Sequence, residues 1–262
     1  MTLQDSVDAW YESATRVVAL LRTLPPDAWA KPTDCPRWTV HGVTAHLAAI
    51  EVELVDGKGT TPREAIDSVT DDFTQVGVEA RAELPPGELI SELESAVERR
   101  RKQLADLDVD PDAIPERTPG GIAWSWRRLL SNRVIDMWTH EQDIREAVDV
   151  PGGTDGNAAA HTVAVFRTSL PYVLGKRVSP PTGTAVRWVV SGHGGFDTVV
   201  RVDDDGRARE ADDAEPAAVI ELTQRAFTRL SAGRRTWHDL DVATDGDEAL
   251  AQNVLDQMSV IE

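Results

Sequence analysis

The sequence predicts an α+β protein: a four-helix bundle over residues 1–152, then a smaller α+β domain over 153–262. Three observations carry this expectation. The first half repeats apolar residues at three- and four-residue intervals, the period of a helix with one buried face. The pattern breaks at Asp149-Val-Pro-Gly-Gly153, a natural boundary between domains. Beyond it, short runs rich in β-branched residues alternate with helical stretches. The 262 residues suffice for a substantial buried core, and a hydrophobic share of 41% is ordinary for a globular chain.

Residues 3–24 place Val7, Trp10, Ala14, Val17, Val18, Leu21 and Leu24 on one stripe, and Pro25-Pro26 ends that helix. A second helix is expected from an N-cap at Thr39 through His46 to about Leu54, broken by Gly57, Gly59 and Pro62. Residues 61–83 look helical but weakly patterned. Residues 87–107 read as an amphipathic helix with Leu89, Leu93, Val97 and Leu104 inward; its Arg99–Lys102 run reads as a solvated face. A Pro/Gly/Asp loop spans 108–121, and residues 124–148 restore a strong helical period. Four main helices with one long connection fit a bundle. In the second half, residues 158–174 are expected as a helix. Residues 184–191 and 197–202 are expected as a hairpin across Gly192-His-Gly-Gly195. A third strand is expected at 218–222, with helices at 224–231 and 248–258.

The formal net charge of −18 repels phosphate backbones and anionic lipid, so neither nucleic acid nor a membrane surface is an expected partner. A small anionic substrate is still admissible, because local basic residues can line a pocket. The first ten residues are polar and acidic, unlike a signal peptide, and no apolar run approaches the ~20 residues of a membrane span. The single Cys35 cannot close an internal disulfide. A cytoplasmic location is the expectation.

Chemistry concentrates in two segments. Asp136 and His140 stand four residues apart, so on a helix they differ by about 40° and project from one face, together with Ile144. Burying an unpaired carboxylate and imidazole is costly, and a metal between them would remove that cost. An exposed pair or a simple hydrogen bond would also account for the spacing. His46 lies beside the apolar stripe of Val40, Val43, Leu47 and Ile50; on its own it reads equally as a satisfied core histidine. His41, roughly 140° away around the helix, does not share its direction.

The two segments together resemble the mycothiol-dependent maleylpyruvate isomerase family. The lead Pro32-Thr-Asp-Cys-Pro-Arg-Trp-Thr-Val40 with His46-Leu-Ala48 resembles the family's approach to a ligand histidine. Asp136-Met-Trp-Thr-His140 resembles its carboxylate-x-x-x-His helix. The resemblance spans nearly the whole chain and implies a DinB-like metal-binding bundle followed by a sterol-carrier-like α+β domain. It further implies a divalent metal, with zinc the expected ion, held by His46, Asp136 and His140. Where the isomerases usually carry glutamate this chain has Asp136, shorter by one methylene. Ala226-Phe-Thr-Arg-Leu-Ser-Ala-Gly-Arg-Arg235 resembles the family's Gly-Arg segment, which implies that Arg234 binds substrate, with Arg235 as the offset alternative. Judged without the family, Gly233-Arg-Arg is a helix end with cations near its negative terminus.

Three protein ligands and an open fourth position are the pattern of a catalytic zinc. The implied cofactors are the metal and mycothiol, whose thiol a metal would deprotonate; the partners are that thiol and a small electrophilic substrate. Isomerase and thiol S-transferase chemistry both follow from this frame. A non-catalytic metal-containing protein that binds a small molecule or lipid, and a hydrolase using metal-bound water, are the alternatives. Asp143 is a weaker candidate for orienting a ligand imidazole, Cys35 is expected to pack as a small hydrophobe, and Trp38 and Trp138 are candidates to line the pocket.

Overall fold

The structure is a computed structural model describing residues 1–56, 71–211 and 213–261, apart from the side chains of residues 71 and 72. The breakers expected at Gly57, Gly59 and Pro62, and the first part of the helix expected over 61–83, lie outside the described residues. Two compact units are present, Met1–Ala158 and Ala159–Glu262.

The first unit is built on four long helices: α1 (Leu3–Leu21), α2 (Val40–Asp56), α4 (Pro86–Gln103) and α5 (Trp126–Val148), with the shorter α3 (Asp71–Glu79) beside α2. Local chemistry sets their ends. Thr2 and Asp5 form a reciprocal capping box that satisfies two otherwise unpaired amides at the start of α1. Helix α1 stops at Leu21, before Leu24, in a turn closed by Thr23 N–H to the Leu20 carbonyl. The Thr39 hydroxyl accepts from Gly42 N–H at 3.3 Å, as its expected capping role requires. Pro86 opens α4, where its missing N–H costs nothing. Ser125 caps α5, which begins at Trp126 rather than Trp124. The α1 stripe is buried as its spacing predicts, with Val7, Ala14 and Val17 fully inaccessible. Helix α1 packs on α4 and α5, while α2 packs on α4 and α5 from its own side.

Helix α5 ends at Asp149 in the left-handed conformation, and the chain folds back along it. Trp138 Nε1–H donates to the Gly153 carbonyl at 2.7 Å, and the Gln142 amide donates to the Gly152 carbonyl at 3.2 Å. Gly153 has φ +70°, and a Cβ there would lie 2.4 Å from Glu141 Oε1. Glu141 cannot retreat, because its buried carboxylate accepts from Ser13, Arg16 and Arg145.

The second unit holds α6 (Asn157–Arg167, which begins just before it), the single-turn α7 (Leu170–Tyr172), five strands, α8 (Gln224–Ser231) and α9 (Glu248–Asp256). The helix expected over 158–174 is interrupted at Thr168–Ser169. Pro171 has no N–H to bond the carbonyl of Arg167 four residues back, and its ring crowds that carbonyl, so α6 ends at Arg167; the chain resumes as α7, with Pro171 in its first turn, and a π-helical turn, Val173–Val178. The strands are β1 (Ala185–Ser191), β2 (Phe196–Val202), β3 (Ala208–Glu210), β4 (Ala218–Thr223) and β5 (Val242–Gly246), in the order β3-β2-β1-β4-β5. β1 and β2 form the expected hairpin with Val190 opposite Phe196; β4 runs parallel to β1, with Val186 opposite Ala218. The edge strands β3 and β5 are additions to the expected set, exposed along most of their length and defined by pairing with their neighbours. Trp188, Val200, Ile220, Phe227 and Val254 form the buried side of the sheet and its helices. Together the units form the α+β architecture, helical first and sheet-containing second.

Substituting Gly153→Ala should lower stability by about 1–3 kcal/mol, because the new methyl meets both an unfavourable φ and the held Glu141 carboxylate. Chemical denaturation checks this, and an unchanged midpoint would contradict it.

Candidate metal centre

Helices α2 and α5 bring His46, Asp136 and His140 together. One ligand atom from each lies within 4.8 Å of the others. His46 Nε2 stands 3.4 Å and His140 Nε2 3.6 Å from the same oxygen, Asp136 Oδ1. Both imidazoles are buried, while the Asp136 side chain keeps 22% of its accessible surface and opens the cluster to one side. The four-residue spacing on α5 thus places its pair inward, and α2 supplies the third group from across the bundle.

The two histidines are held differently. His140 Nδ1 hydrogen-bonds Asp143 Oδ2 at 2.9 Å, so a proton on Nδ1 leaves Nε2 with a free lone pair toward the cluster. Asp143 is fully buried, one turn beyond His140. The His46 ring lies against Trp38, centroids 4.7 Å apart and planes 25° from parallel, while its Nδ1 is buried without a hydrogen bond among the described residues. Trp38 also approaches His140, at 5.8 Å, and donates its indole N–H to Gln75 on α3. Trp38 therefore covers both imidazoles. Trp138 points elsewhere, to the Gly153 carbonyl.

Sequence reasoning missed the residues behind the cluster. Arg133 donates from Nη1 to Asp136 Oδ2 at 2.9 Å, and from Nε and Nη2 to Glu51 Oε1 at 3.1 and 2.9 Å. Glu51 Oε1 also accepts from Trp10 Nε1–H at 3.1 Å. Both ions are buried, Glu51 completely. Only the position of Arg133 three residues before Asp136 hinted at the contact, and that spacing is equally common for exposed ion pairs. Burial opposes ionisation of Asp136, but Arg133 and the two histidines outweigh it and hold the carboxyl well below its usual range. Burial pushes His46 below its ordinary value, against the opposing pull of Asp136.

The remaining candidates are not among the three clustered donors. Arg234 lies in the second unit, just past α8; it is partly buried and donates to the Ala232 carbonyl at 3.2 Å. Arg235 is exposed, and Cys35 is partly buried in the loop before α2.

A helical bundle bearing a His/Asp/His group able to hold a metal, followed by a sheet-containing domain, defines the class. The model of the mycothiol maleylpyruvate isomerase N-terminal domain matches residues 10–145, and that of the corresponding C-terminal domain matches residues 160–253. The chain belongs to the mycothiol-dependent maleylpyruvate isomerase family. Crystal structures of the mycothiol-dependent maleylpyruvate isomerase and of a histidine-to-alanine mutant of it share the fold, with TM-scores of 0.57 and 0.56 at 15% identity. Each match covers 94% of this chain and 93% of the other. Uncharacterized proteins from two strains of Mycobacterium tuberculosis are 27% identical over 144 residues, 50% of this chain and 52% of theirs. The chain thus spans about half the length of the curated relatives it matches. No described helix is long and apolar enough to cross a membrane.

The depressed value of His46 sets a pH dependence. A histidine harder to protonate when folded contributes stability that is fully present above its unfolded value of about 6.5. That contribution is lost as pH falls through the folded value. Denaturation of chelator-treated protein between pH 8 and 5 should show stability falling below about pH 6.5, and His46→Gln should flatten that slope. An identical slope in the variant contradicts the assignment.

Proposed function

We propose that this chain is a mycothiol-dependent metalloenzyme, an isomerase or thiol S-transferase acting on a small electrophile, with zinc held by His46, Asp136 and His140. The spacing of the three donors carries this reading. At 3.4 and 3.6 Å the imidazole nitrogens are too far from Asp136 Oδ1 for good hydrogen bonds, whose N···O distances centre near 2.9–3.0 Å. With the three donor atoms all within 4.8 Å of one another, they could converge on one ion. The donor chemistry agrees, since two neutral imidazoles and one carboxylate suit zinc.

The chemistry that zinc would supply there is deprotonation of a low-molecular-weight thiol, such as mycothiol, at neutral pH. The chain's own residues prepare for it. Burial favours the neutral form of His46, and a hydrogen bond from His140 Nδ1–H to Asp143 would leave the His140 Nε2 lone pair toward the cluster. Trp38 shields one side of the imidazoles from water. In the substrate, the thiolate adds to one carbon of a double bond conjugated to a carbonyl, and the displaced electron pair moves to the carbonyl oxygen. The former double bond rotates, the enolate pair returns, and the thiolate leaves with no net redox change. Where the enolate carbon instead takes up a proton, balancing the one lost by the thiol, the sulfur stays bound and the reaction is a transfer. Arg234 is the proposed partner of a substrate carboxylate or enolate, through paired guanidinium hydrogen bonds.

The test is elemental analysis of the purified protein and of His46→Ala, followed by incubation with mycothiol and either maleylpyruvate or a bimane electrophile. Stoichiometric zinc and thiol-dependent turnover are expected in the parent, both lost in the variant. Zinc without thiol consumption across the panel would overturn the proposed reaction. Amide or thioester hydrolysis without added thiol would replace it with hydrolase chemistry, and a co-purified ligand without turnover would replace it with a binding role.

A further inference from the structure

The two carboxylate oxygens of Asp136 have different surroundings. Oδ1 faces both imidazoles, whereas Oδ2 accepts a charge-assisted hydrogen bond from Arg133 Nη1 at 2.9 Å. The guanidinium is planar, and its Nε and Nη2 also donate to Glu51 Oε1 at 3.1 and 2.9 Å. Glu51 is fixed in turn by the Trp10 indole from α1. Arg133 is thereby tied to α2 through Glu51, to α5 through Asp136 and, by way of Glu51, to α1. Turning Oδ2 toward a bound ion would give up its charge-assisted bond to the buried guanidinium.

We infer that Arg133 is a positioning residue that restricts Asp136 to one-oxygen coordination through Oδ1, with Glu51 as its anchor. The inference rests on the metal reading above. Its consequence is a ligand set of two nitrogens and one oxygen, which leaves a tetrahedral ion one open position. A two-oxygen carboxylate would raise the coordination number and move the site toward ions that favour five or six ligands. A lysine at 133 could keep the charge but could not bond Asp136 and Glu51 with the same planar fork.

The experiment titrates metal-free parent, Arg133→Lys and Glu51→Gln proteins with zinc and with cobalt(II). It reads the dissociation constant, the visible cobalt spectrum and the metal-free melting temperature. The parent should give the intense visible bands of a low-coordinate site. Arg133→Lys should weaken binding by about 10–100-fold and lower the band intensity as the second oxygen joins, and Glu51→Gln should shift both readouts in the same direction. The Glu51→Gln/Arg133→Met double variant removes this pair together, leaving Arg100 as the buried charge near position 51, and carries the same test should the lysine variant not fold. A lowered melting temperature with unchanged affinity and cobalt spectrum would show a merely structural role and overturn the inference. A parent protein that binds neither metal would instead overturn the metal reading itself, a separately recognisable outcome.

Discussion

The buried ion pair between Glu51 on α2 and Arg133 on α5 is the interaction on which the site depends. Two charges removed from water recover their desolvation cost only when their hydrogen-bonding capacity is well used. Arg133 places Nε and Nη2 on Glu51 Oε1 and Nη1 on Asp136, while Glu51 Oε2 has only the buried Arg100 at 3.9 Å and no hydrogen bond among the described residues. The same guanidinium thus joins two bundle helices and aims a carboxylate. Removing one partner of such a buried pair typically costs about 3–5 kcal/mol, because the other charge is left uncompensated. Fold and site are coupled through this contact.

A second buried network serves the opposite edge of α5. Glu141, adjacent to His140 in sequence, turns away from the cluster toward Ser13, Arg16 and Arg145. Successive residues of one helix therefore address two separate polar centres. The helix is clamped on one side by α2 and on the other by α1, and its rotation is set by both. Such clamping matters for a ligand set, because a metal tolerates little error in donor placement. The overall charge of −18 says little about this local balance, in which buried arginines stand beside buried carboxylates.

Much of the bundle was legible because its signals are local. The α1 stripe, the Thr39 cap and the long period of α5 each depend on neighbours within a turn or two. Asp136 and His140 could be placed on one face for the same reason. His46 could not be joined to them by spacing, since 90 residues separate it from Asp136 and only resemblance to a family linked the segments. Arg133 and Glu51 went unread because a charged residue signals exposure until tertiary packing surrounds it. Strands β3 and β5 lack an apolar alternation, being formed by pairing at the sheet edges. Pro171 is a local signal in the sequence for the end of α6 at Arg167.

Family membership is the ground for proposing a thiol-dependent reaction, and the convergence of the three donors is the ground for proposing a metal in it. The central claim is that His46, Asp136 and His140 bind one ion without a protein sulfur ligand. X-ray absorption at the zinc edge of the reconstituted full chain tests this most directly. The account predicts a first shell of two imidazole nitrogens and carboxylate oxygen at about 2.0–2.1 Å, completed by solvent and free of sulfur. A sulfur scatterer near 2.3 Å in the absence of added thiol, or a shell without imidazole, would contradict it.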